Sequence, residues 1–238
     1  MKSAIVVGAS SGIGRELARL LSENGYRVGL TARRYDLLAS LQQELPHPSV
    51  IKEMDVSKAP DAMHQMRDLI DELQDVELII ISAGVGTLNP EMEWRHEAET
   101  METNVTGFAA VANMAVQHFT QQGSGHLVGI SSIAALRGGD ASPAYYASKA
   151  FQSNYLQGLR KKMAKSHMPV TITEVQPGLV NTAMAQGEGL FWVAPVRKAA
   201  RQIYDAISRK REHVYVTKRW RLIAWLIKFM PASLYNKM

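Results

Sequence analysis

Tyr145 and Lys149 are the residues of this sequence whose types and spacing most directly suggest chemistry. They lie four residues apart in the run Tyr145-Tyr146-Ala147-Ser148-Lys149, so on a helix their side chains share one face. A lysine ammonium beside a phenol favours the phenolate, and together with a cationic cofactor ring it can lower the pKa of the phenol from its ordinary value of about 10. Such a phenol can exchange a proton with a carbonyl or an alcohol near neutral pH, which is the acid/base half of a hydride transfer.

A glycine-rich turn near the N-terminus indicates where a cofactor would bind. The run Gly8-Ala9-Ser10-Ser11-Gly12-Ile13-Gly14 follows an apolar segment and precedes a helix expected over about residues 13–24. Glycines let the backbone approach a pyrophosphate closely, and the helix N-terminus supplies amide donors and a partial positive charge. The residues expected to contact a bound dinucleotide here are Gly8, Ser10, Ser11, Gly12, Ile13 and Gly14.

The residues after the second predicted strand bear on the choice between NAD(H) and NADP(H). The run Thr31-Ala32-Arg33-Arg34 stands where an NAD-specific protein usually carries an acidic residue for the ribose hydroxyls. Arg33, with Arg34 or Ser11, can instead bind a 2′-phosphate and stack on adenine, so the sequence favours NADP(H). A pair of solvated surface arginines is the alternative.

Short β-branched runs alternate with helix-length segments along the chain. Strands are predicted over residues 4–7, 27–31, 49–54, 78–81, 126–130, 170–175 and 213–216. Several of these runs are apolar without alternation, as expected where both faces of a parallel sheet are covered. The predicted fold is one α/β domain with a doubly wound parallel sheet (Rossmann fold) over residues 1–216, followed by a basic amphipathic extension over residues 217–238.

The ends of the predicted strands indicate where the site lies. Ligands of such sheets bind beyond the carboxyl ends of the strands, so the irregular segments 84–90, 137–143 and 183–194 are expected to surround it. Asp55, with Val56 beside it, follows the third strand and is placed to accept a hydrogen bond from the adenine amino group. Alternatively, Asp55 caps the next helix.

Composition limits the classes of function. The sequence has no cysteine, which excludes disulfides, thiolate metal sites and cysteine nucleophiles, and no metal is expected. Met1-Lys2-Ser3 leads directly into the first strand, so we expect no cleavable signal and a cytoplasmic location. The net charge of +5 is uneven, since residues 197–238 hold 11 Lys/Arg and 2 Asp/Glu. No nucleic-acid-reading motif accompanies this charge, so no nucleic-acid partner is expected.

The glycine turn, the phenol–lysine pair and the strand order together resemble the short-chain dehydrogenase/reductase family over about residues 3–210. The further motifs that carry the resemblance are Ser82-Ala83-Gly84, Thr103-Asn104-Val105-Thr106-Gly107, Ile130-Ser131-Ser132 and Gln176-Pro177-Gly178-Leu179-Val180-Asn181-Thr182. The resemblance implies catalytic roles for Asn104, Ser132, Tyr145 and Lys149. Ser132 lies 13 residues before Tyr145, as the family's catalytic serine does, and is preferred over Ser131. Asn104 matches an asparagine that interrupts a long central helix and holds a water that links the lysine to solvent.

The same resemblance implies further cofactor contacts. The segment after the sixth strand matches the one that flanks the nicotinamide, with Thr182 near its carboxamide. The contacts implied by these motifs are Ala83, Gly84, Asn104, Tyr145, Lys149, Pro177, Gly178, Val180 and Thr182. Ser82 stands where the family often has asparagine, so cofactor affinity or local stability is expected to be reduced.

The implied reaction is hydride transfer between NADPH and a carbonyl carbon, with Tyr145 protonating the oxygen, Ser132 hydrogen-bonding it and Lys149 holding the nicotinamide ribose. In reverse, the reaction oxidises an alcohol. Simpler explanations exist for single residues: Ser132 can satisfy strand-end backbone, Asn104 can cap a helix, and Tyr146 competes with Tyr145 for the catalytic role. The alternative function is a noncatalytic NADP(H)-binding regulator or redox sensor, which has no need of a proton donor.

Two segments bear on the substrate and partners. Met184, Leu190, Phe191 and Trp192 lie in the family's mobile substrate-covering position and favour a small hydrophobic carbonyl or alcohol substrate, although they can equally pack on the body or on another subunit. Residues 218–230 are too short and too charged to span a bilayer. They can make a peripheral contact with the cytoplasmic face of a membrane or, slightly favoured, pack on the body or an oligomer partner. The resemblance implies a homodimer or homotetramer.

Overall fold

A parallel β-sheet forms the centre of the computed structural model, which describes residues 1–185 and 191–236. In this part of the chain the strands are β1 (Ser3–Val7), β2 (Arg27–Ala32), β3 (Ser49–Glu53), β4 (Val76–Ile81), β5 (Gly125–Ile130), β6 (Val170–Pro177) and β7 (His213–Val216). Their order is β3-β2-β1-β4-β5-β6-β7, and each neighbouring pair is parallel. The predicted fold class, a doubly wound parallel sheet in a single domain, is therefore confirmed.

Helices cover both faces of the sheet. They are α1 (Gly12–Glu23), α2 (Tyr35–Glu44), α3 (Ala59–Leu73), α4 (Trp94–Met101), α5 (Phe108–Gln122), α6 (Pro143–Lys165), α7 (Val196–Ser208), α8 (Trp220–Phe229) and α9 (Ala232–Tyr235). A π-helical segment, Glu102–Gly107, joins α4 to α5, and a short 3₁₀ turn, Ile133–Leu136, follows β5. The helix predicted after the glycine turn is present as α1, within one residue of the expected bounds.

Residues 4–7 of β1 and 78–81 of β4 are all apolar because each face of the sheet packs on a separate helical layer. Ala4 and Val6 of β1 belong to the core cluster that includes residues of α1, α2 and α7. Ile5 and Val7 belong to the cluster formed with α3, α5 and α6. All five residues of β1 are buried, so the lack of alternation in its sequence follows from the two covered faces.

Pairing lengthens two strands beyond their apolar runs. Ser3 of β1 pairs with Val76, which makes β4 begin before the predicted residue 78. Gln176 and Pro177 pair with Tyr215 and Val216 of β7, so β6 continues past the predicted residue 175. The ends of these strands are thus set by the neighbouring strand rather than by local hydrophobicity.

The C-terminal helix α8 packs on the body through Trp220 and Ala224, which are 4% and 0% exposed. Ala224 lies on the packed face of the helix, whereas Arg221 and Lys228 are exposed. Within residues 1–185 and 191–236, none of the helices combines the length and the hydropathy that crossing a bilayer requires.

We expect Phe119→Ala to lower the free energy of unfolding by about 3–5 kcal/mol, because a large side chain is removed from a filled core. Phe119 is 0% exposed and packs on the backbone of Gly125, where an added Cβ would collide with its ring. Urea denaturation followed by circular dichroism measures the change. Phe229→Ala is the matched control, since Phe229 is 81% exposed and its removal should change stability by less than about 0.5 kcal/mol. Equal effects of the two substitutions would contradict the packing described.

Candidate active site

Ser132 and Tyr145 meet at the carboxyl end of β5. Ser132 follows the strand directly, and its Oγ accepts a hydrogen bond from the backbone N of Ala134 at 3.1 Å. Tyr145 lies in the first turn of α6, and the absence of a side chain at Gly86 leaves room for its ring, because a Cβ there would lie 2.7 Å from the ring. The phenol and the serine are hydrogen-bonded, so the structure brings together two of the predicted catalytic residues.

Two effects of opposite sign act on the Tyr145 phenol. Burial raises its pKa, and this is the larger effect, while the hydrogen bond with Ser132 lowers it. In the protein without a bound cofactor the net direction of the pKa is upward, whereas the expected lowering depends on the lysine together with a cationic cofactor ring. The physical reason is that the desolvation of a phenolate exceeds the stabilisation that one hydroxyl provides.

Ser131 points to the other side of the strand end. It is 4% exposed, and its Oγ donates to Glu174 Oε1 on β6 at 2.7 Å. The adjacent serine, Ser132, is partly exposed. Since successive side chains of a strand alternate in direction, the burial of Ser131 agrees with the sequence preference for Ser132.

Lys149 is buried beside Tyr145, one turn further along α6. Its Nζ lies 5.7 Å from the centroid of the Tyr145 ring and donates to the carbonyl O of Ile130 at 3.3 Å and to Oε1 of Gln152 at 2.9 Å. Burial lowers the pKa of Lys149 to about 8. The predicted approach of ammonium and phenol is thus present, and the ammonium is held by two neutral acceptors.

Asn104 lies within the π-helical segment, so the helix interruption that the resemblance implied is found. The Asn104 side chain accepts from the backbone N of Val85 at 2.9 Å and donates to the backbone O of Val85 at 2.7 Å and to Ser148 Oγ at 3.0 Å. The backbone carbonyl of Asn104 accepts a hydrogen bond from Nε2 of Gln152 at 2.9 Å. Asn104 therefore ties the loop after β4 to α6, rather than capping a helix with its side chain.

Gln152 is the functional residue that sequence reasoning missed. It is 0% exposed and hydrogen-bonds to two members of the candidate catalytic set, Lys149 and Asn104. One sequence signal was available, because Gln152 follows Lys149 by three residues on a helix and so shares its face.

The glycine turn lies against the segment that follows β6. Gly8 has φ +91°, and a Cβ there would lie 2.5 Å from the backbone N of Ala83, so this position needs glycine. At Gly12 an added Cβ would lie 3.2 Å from Cγ2 of Thr182. A surface pocket of about 540 Å³ opens here, lined by Gly12, Arg15, Glu16, Asn181, Thr182, Ala183 and Val196.

These features fit a dinucleotide with its pyrophosphate at the turn. Helix α1 begins at Gly12, which lines the pocket, and a helix N-terminus supplies free amides that suit a pyrophosphate. Ser10 is buried, whereas Ser11 is exposed at the helix start. Ile13 packs against the core and Gly14 is buried within the first turn.

The two arginines after β2 take different positions. Arg34 Nη2 donates to Ser10 Oγ at 2.9 Å and to Ser11 Oγ at 2.8 Å. Arg33 makes a long ion pair with Glu99, 3.8 Å between Nη1 and Oε1, and its side chain is 55% exposed. The guanidinium nearest the glycine turn is therefore that of Arg34, the residue that the sequence favoured less.

The segments after β3 and β4 hold three further residues singled out in the sequence: Asp55, Val56 and Ser82. Asp55 Oδ1 accepts from the backbone N of Ser57 at 3.0 Å and from its Oγ at 2.8 Å. This carboxylate closes the turn before α3, while the N-cap position of α3 is Lys58. Val56 beside it is buried. Ser82, which replaces the family's usual asparagine, donates its backbone N to Val7 O at 2.8 Å.

In the segment after β6, Trp220 of α8 covers Gly178, where an added Cβ would collide with the indole ring. Pro177 is the last residue of β6, Val180 is buried and bridges to Ala194, and Thr182 donates its backbone N to Val180 O at 2.7 Å. The predicted contact residues of this segment thus surround one end of the cleft.

The predicted substrate-covering segment is described in part. Met184 is 40% exposed, Phe191 52% and Trp192 46%, while Leu190 lies outside the described residues. The ring of Phe191 is 5.3 Å from that of Trp220, and the ring of Trp192 is 6.5 Å from it. These contacts attach the end of the segment to helix α8 and leave exposed apolar surface beside the cleft.

This chain is similar to known proteins in sequence and in fold. A family model described as short chain dehydrogenase matches residues 2–190. An uncharacterised oxidoreductase of Myxococcus xanthus is 37% identical over 188 residues, which cover 77% of this chain and 74% of that protein. An uncharacterised oxidoreductase of Mycobacterium tuberculosis is 33% identical over 189 residues, covering 76% and 74%.

Two solved structures share the fold. A short-chain dehydrogenase/reductase from Burkholderia phymatum in complex with NAD has a TM-score of 0.84 at 19% identity, covering 94% of this chain and 92% of that one. An alcohol dehydrogenase from Thermococcus sibiricus complexed with 5-hydroxy-NADP has a TM-score of 0.79 at 21% identity, covering 91% and 96%. The family match over most of the sequence and the two relatives at 37% and 33% identity show that this chain belongs to the short-chain dehydrogenase/reductase family of oxidoreductases, with its nicotinamide-dinucleotide-binding fold.

Proposed function

We propose that the protein is an NADP(H)-preferring oxidoreductase that interconverts a small hydrophobic ketone or aldehyde and the corresponding alcohol. The observation that carries this proposal is the hydrogen-bonded Ser132–Tyr145 pair with the buried Lys149 ammonium beside it. A noncatalytic cofactor sensor would have no use for a proton donor and its charged neighbour. The residues proposed as catalytic are Asn104, Ser132, Tyr145 and Lys149.

The proposed role of Tyr145 is to hold and transfer the proton. Because burial raises its pKa, the phenol is protonated at neutral pH and can donate to a carbonyl oxygen. Ser132 orients that oxygen by a second hydrogen bond, and Lys149 places positive charge near the phenolate that remains. A bound nicotinamide supplies the hydride. In the oxidation of an alcohol, the same phenol takes up the proton.

We expect Tyr145→Phe to lower kcat for carbonyl reduction by between about 10²-fold and 10⁴-fold, which is the usual contribution of a general acid. Binding of NADPH, measured by fluorescence titration, should stay nearly unchanged because only a hydroxyl is lost. The assay is NADPH oxidation against a panel of hydrophobic aldehydes and ketones, with NADH for comparison.

Tyr146→Phe is the matched control, since Tyr146 is the adjacent phenol, 6.0 Å between ring centroids. It should retain turnover. Full activity of Tyr145→Phe would contradict the proposed role of Tyr145 as the general acid. If the unaltered protein binds NADPH tightly yet reduces nothing on the panel, the regulator or redox-sensor function replaces the enzymatic one.

The proposed preference for NADP(H) rests on the basic residues after β2. Arg34 is bound to Ser10 and Ser11 at the mouth of the glycine turn, and Arg33 beside it is exposed. A planar guanidinium suits both bidentate phosphate binding and stacking on adenine. The proposed cofactor contacts also include Asp55, Val56, Ala83 and Gly84 at the strand ends.

We expect Arg33→Ala and Arg34→Ala each to raise the KM for NADPH by about tenfold or more, as loss of a charge-assisted hydrogen bond would. The KM for NADH should change much less, because NADH lacks the 2′-phosphate. Arg19→Ala is the control: Arg19 pairs with Glu16 and Glu44 on the surface, and both constants should be unaffected. Equal changes for the two cofactors in the Arg33 and Arg34 variants would reject the phosphate role.

The proposed substrate class follows from the apolar side chains beside the cleft. Met184, Phe191 and Trp192 expose apolar surface there. A hydrophobic carbonyl compound would cover that surface on binding, which stabilises the complex by about 25 cal/mol per Å² buried.

We further propose that residues 217–238 form an extension that contacts an anionic membrane surface. One face of α8 packs on the body, whereas Leu222, Trp225, Leu226 and Phe229 on the other faces are 59–81% exposed. Residues 213–238 contain five Lys/Arg and no Asp/Glu. An apolar helix face flanked by unbalanced positive charge is complementary to the headgroup region of an anionic bilayer.

In a flotation assay, we expect the full chain to rise with vesicles of phosphatidylcholine and phosphatidylserine, and to stay at the bottom with phosphatidylcholine alone. The double variant Trp225→Ser, Phe229→Ser should bind at least about tenfold more weakly, because two apolar side chains no longer enter the bilayer. Trp94→Ser is the control, since Trp94 is 70% exposed on a different helix. Absence of flotation would overturn the proposal. Loss of a concentration-dependent dimer in the double variant would also overturn it, and would assign this face of α8 to a subunit contact.

Two further proposals concern the state of the protein in the cell. Assembly into a homodimer or homotetramer is favoured by the family resemblance. A cytoplasmic location, with the proposed membrane contact on the cytoplasmic face, agrees with the absence of cysteine.

A further inference from the structure

Gln152 connects two members of the candidate catalytic set through the two ends of one amide group. Its Nε2 donates to the backbone O of Asn104, and its Oε1 accepts from Nζ of Lys149, both at 2.9 Å. The side chain is 0% exposed. A buried amide with donor and acceptor both engaged is held in one orientation, since rotation would leave each partner facing a group of the wrong kind.

The hydrogen bonds of Lys149 show what this amide controls. An ammonium has three donors, and two of them are used on Ile130 O and Gln152 Oε1. The loop after β4 passes close to Nζ at Gly84, where an added Cβ would lie 3.4 Å away. Among the described residues Lys149 Nζ has these two acceptors, and we infer that its third donor points towards the cleft beside Tyr145.

We propose that Gln152 is a positioning residue that links the Lys149 ammonium to the Asn104 carbonyl and thereby fixes the direction of the ammonium's free donor. The family resemblance implies that this asparagine holds a water that links the lysine to solvent. In this structure the Gln152 side chain connects Asn104 and Lys149 directly. The expected effect of Gln152 on activity rests on the proposed function. Its expected effect on the pKa of Lys149 does not.

The surroundings of Lys149 make this acceptor important. The titratable group that faces it is the Tyr145 phenol on the same helix. The groups that approach it from the other elements are neutral: the Ile130 carbonyl of β5, the loop at Gly84, and the Asn104 amide of the π-helical segment. Burial lowers the pKa of Lys149, and the carbonyl dipole of Gln152 opposes that effect because it stabilises the charged form.

The test uses Gln152→Met, which keeps the length of the side chain and removes both hydrogen-bonding groups. With ¹³C-labelled lysine, the Lys149 resonance is identified by its disappearance in Lys149→Met, and its pKa is measured by NMR titration. We expect this pKa to fall by about one unit, a tenfold change in the protonation equilibrium. Gln152→Glu places a carboxylate against the ammonium, so in that variant the pKa of Lys149 should rise.

A second readout is the pH dependence of kcat for alcohol oxidation. The phenol is the base in that direction, and a lysine that loses its charge at lower pH no longer favours the phenolate. The acid limb of the profile for Gln152→Met should therefore move to higher pH by about one unit.

Leu156→Val is the control for a loss of packing, since Leu156 is 0% exposed on the same helix and does not hydrogen-bond to Lys149. An unchanged pKa of Lys149 in Gln152→Met, or an equal shift in Leu156→Val, would overturn the proposal. If the pKa moves as expected but the unaltered protein turns over no substrate, Gln152 keeps its positioning role and the proposed function fails.

Discussion

The buried ammonium of Lys149 is the constraint on which the arrangement of the cleft depends. A charge removed from water destabilises the folded state unless polar groups surround it, and those recorded here are neutral carbonyl oxygens rather than a carboxylate. One acceptor belongs to β5, and the other belongs to Gln152 of α6, which is in turn held by the π-helical segment. Keeping one lysine charged thus requires a strand, a helix and a helical irregularity to have the correct relative positions.

The same requirement explains the π-helical segment and the glycines near it. A π-helical stretch changes which residues face the neighbouring helix. In this segment the backbone carbonyl of Asn104 is directed to Gln152, and the Asn104 side chain holds the loop at Val85. That loop can pass close to Lys149 and Tyr145 because Gly84 and Gly86 have no side chains. The π-helical backbone and the two glycines thus let neutral groups surround the Lys149 ammonium.

Helix α8 lies beside the cleft. Its Trp220 lies on Gly178 and contacts the rings of Phe191 and Trp192 in the predicted covering segment. A surface bound to α8 is therefore adjacent to the segment beside which an apolar substrate would enter. This placement joins the proposed membrane contact to the proposed substrate class, since apolar carbonyl compounds concentrate in bilayers.

The sequence alone determined the features that depend on local geometry. Continuous apolar runs located the strands, because a sheet covered on both faces buries every residue of its central strands. The four-residue spacing of Tyr145 and Lys149 placed them together, because the helical period is the same in any fold. The glycine turn was identifiable for the same reason, since strand, turn and helix are adjacent in the chain.

Contacts between residues distant in sequence depend on the tertiary structure. The bond from Gln152 to Asn104 spans 48 residues, and those from Arg34 to the serines of the glycine turn span 24 and 23. The buried face of α8 and the extension of β6 past residue 175 likewise depend on what packs against them. Secondary-structure propensity and hydrophobic periodicity describe one segment of the chain by itself. Residues distant in sequence come into contact only when the folded chain brings their segments together at the carboxyl edge of the sheet.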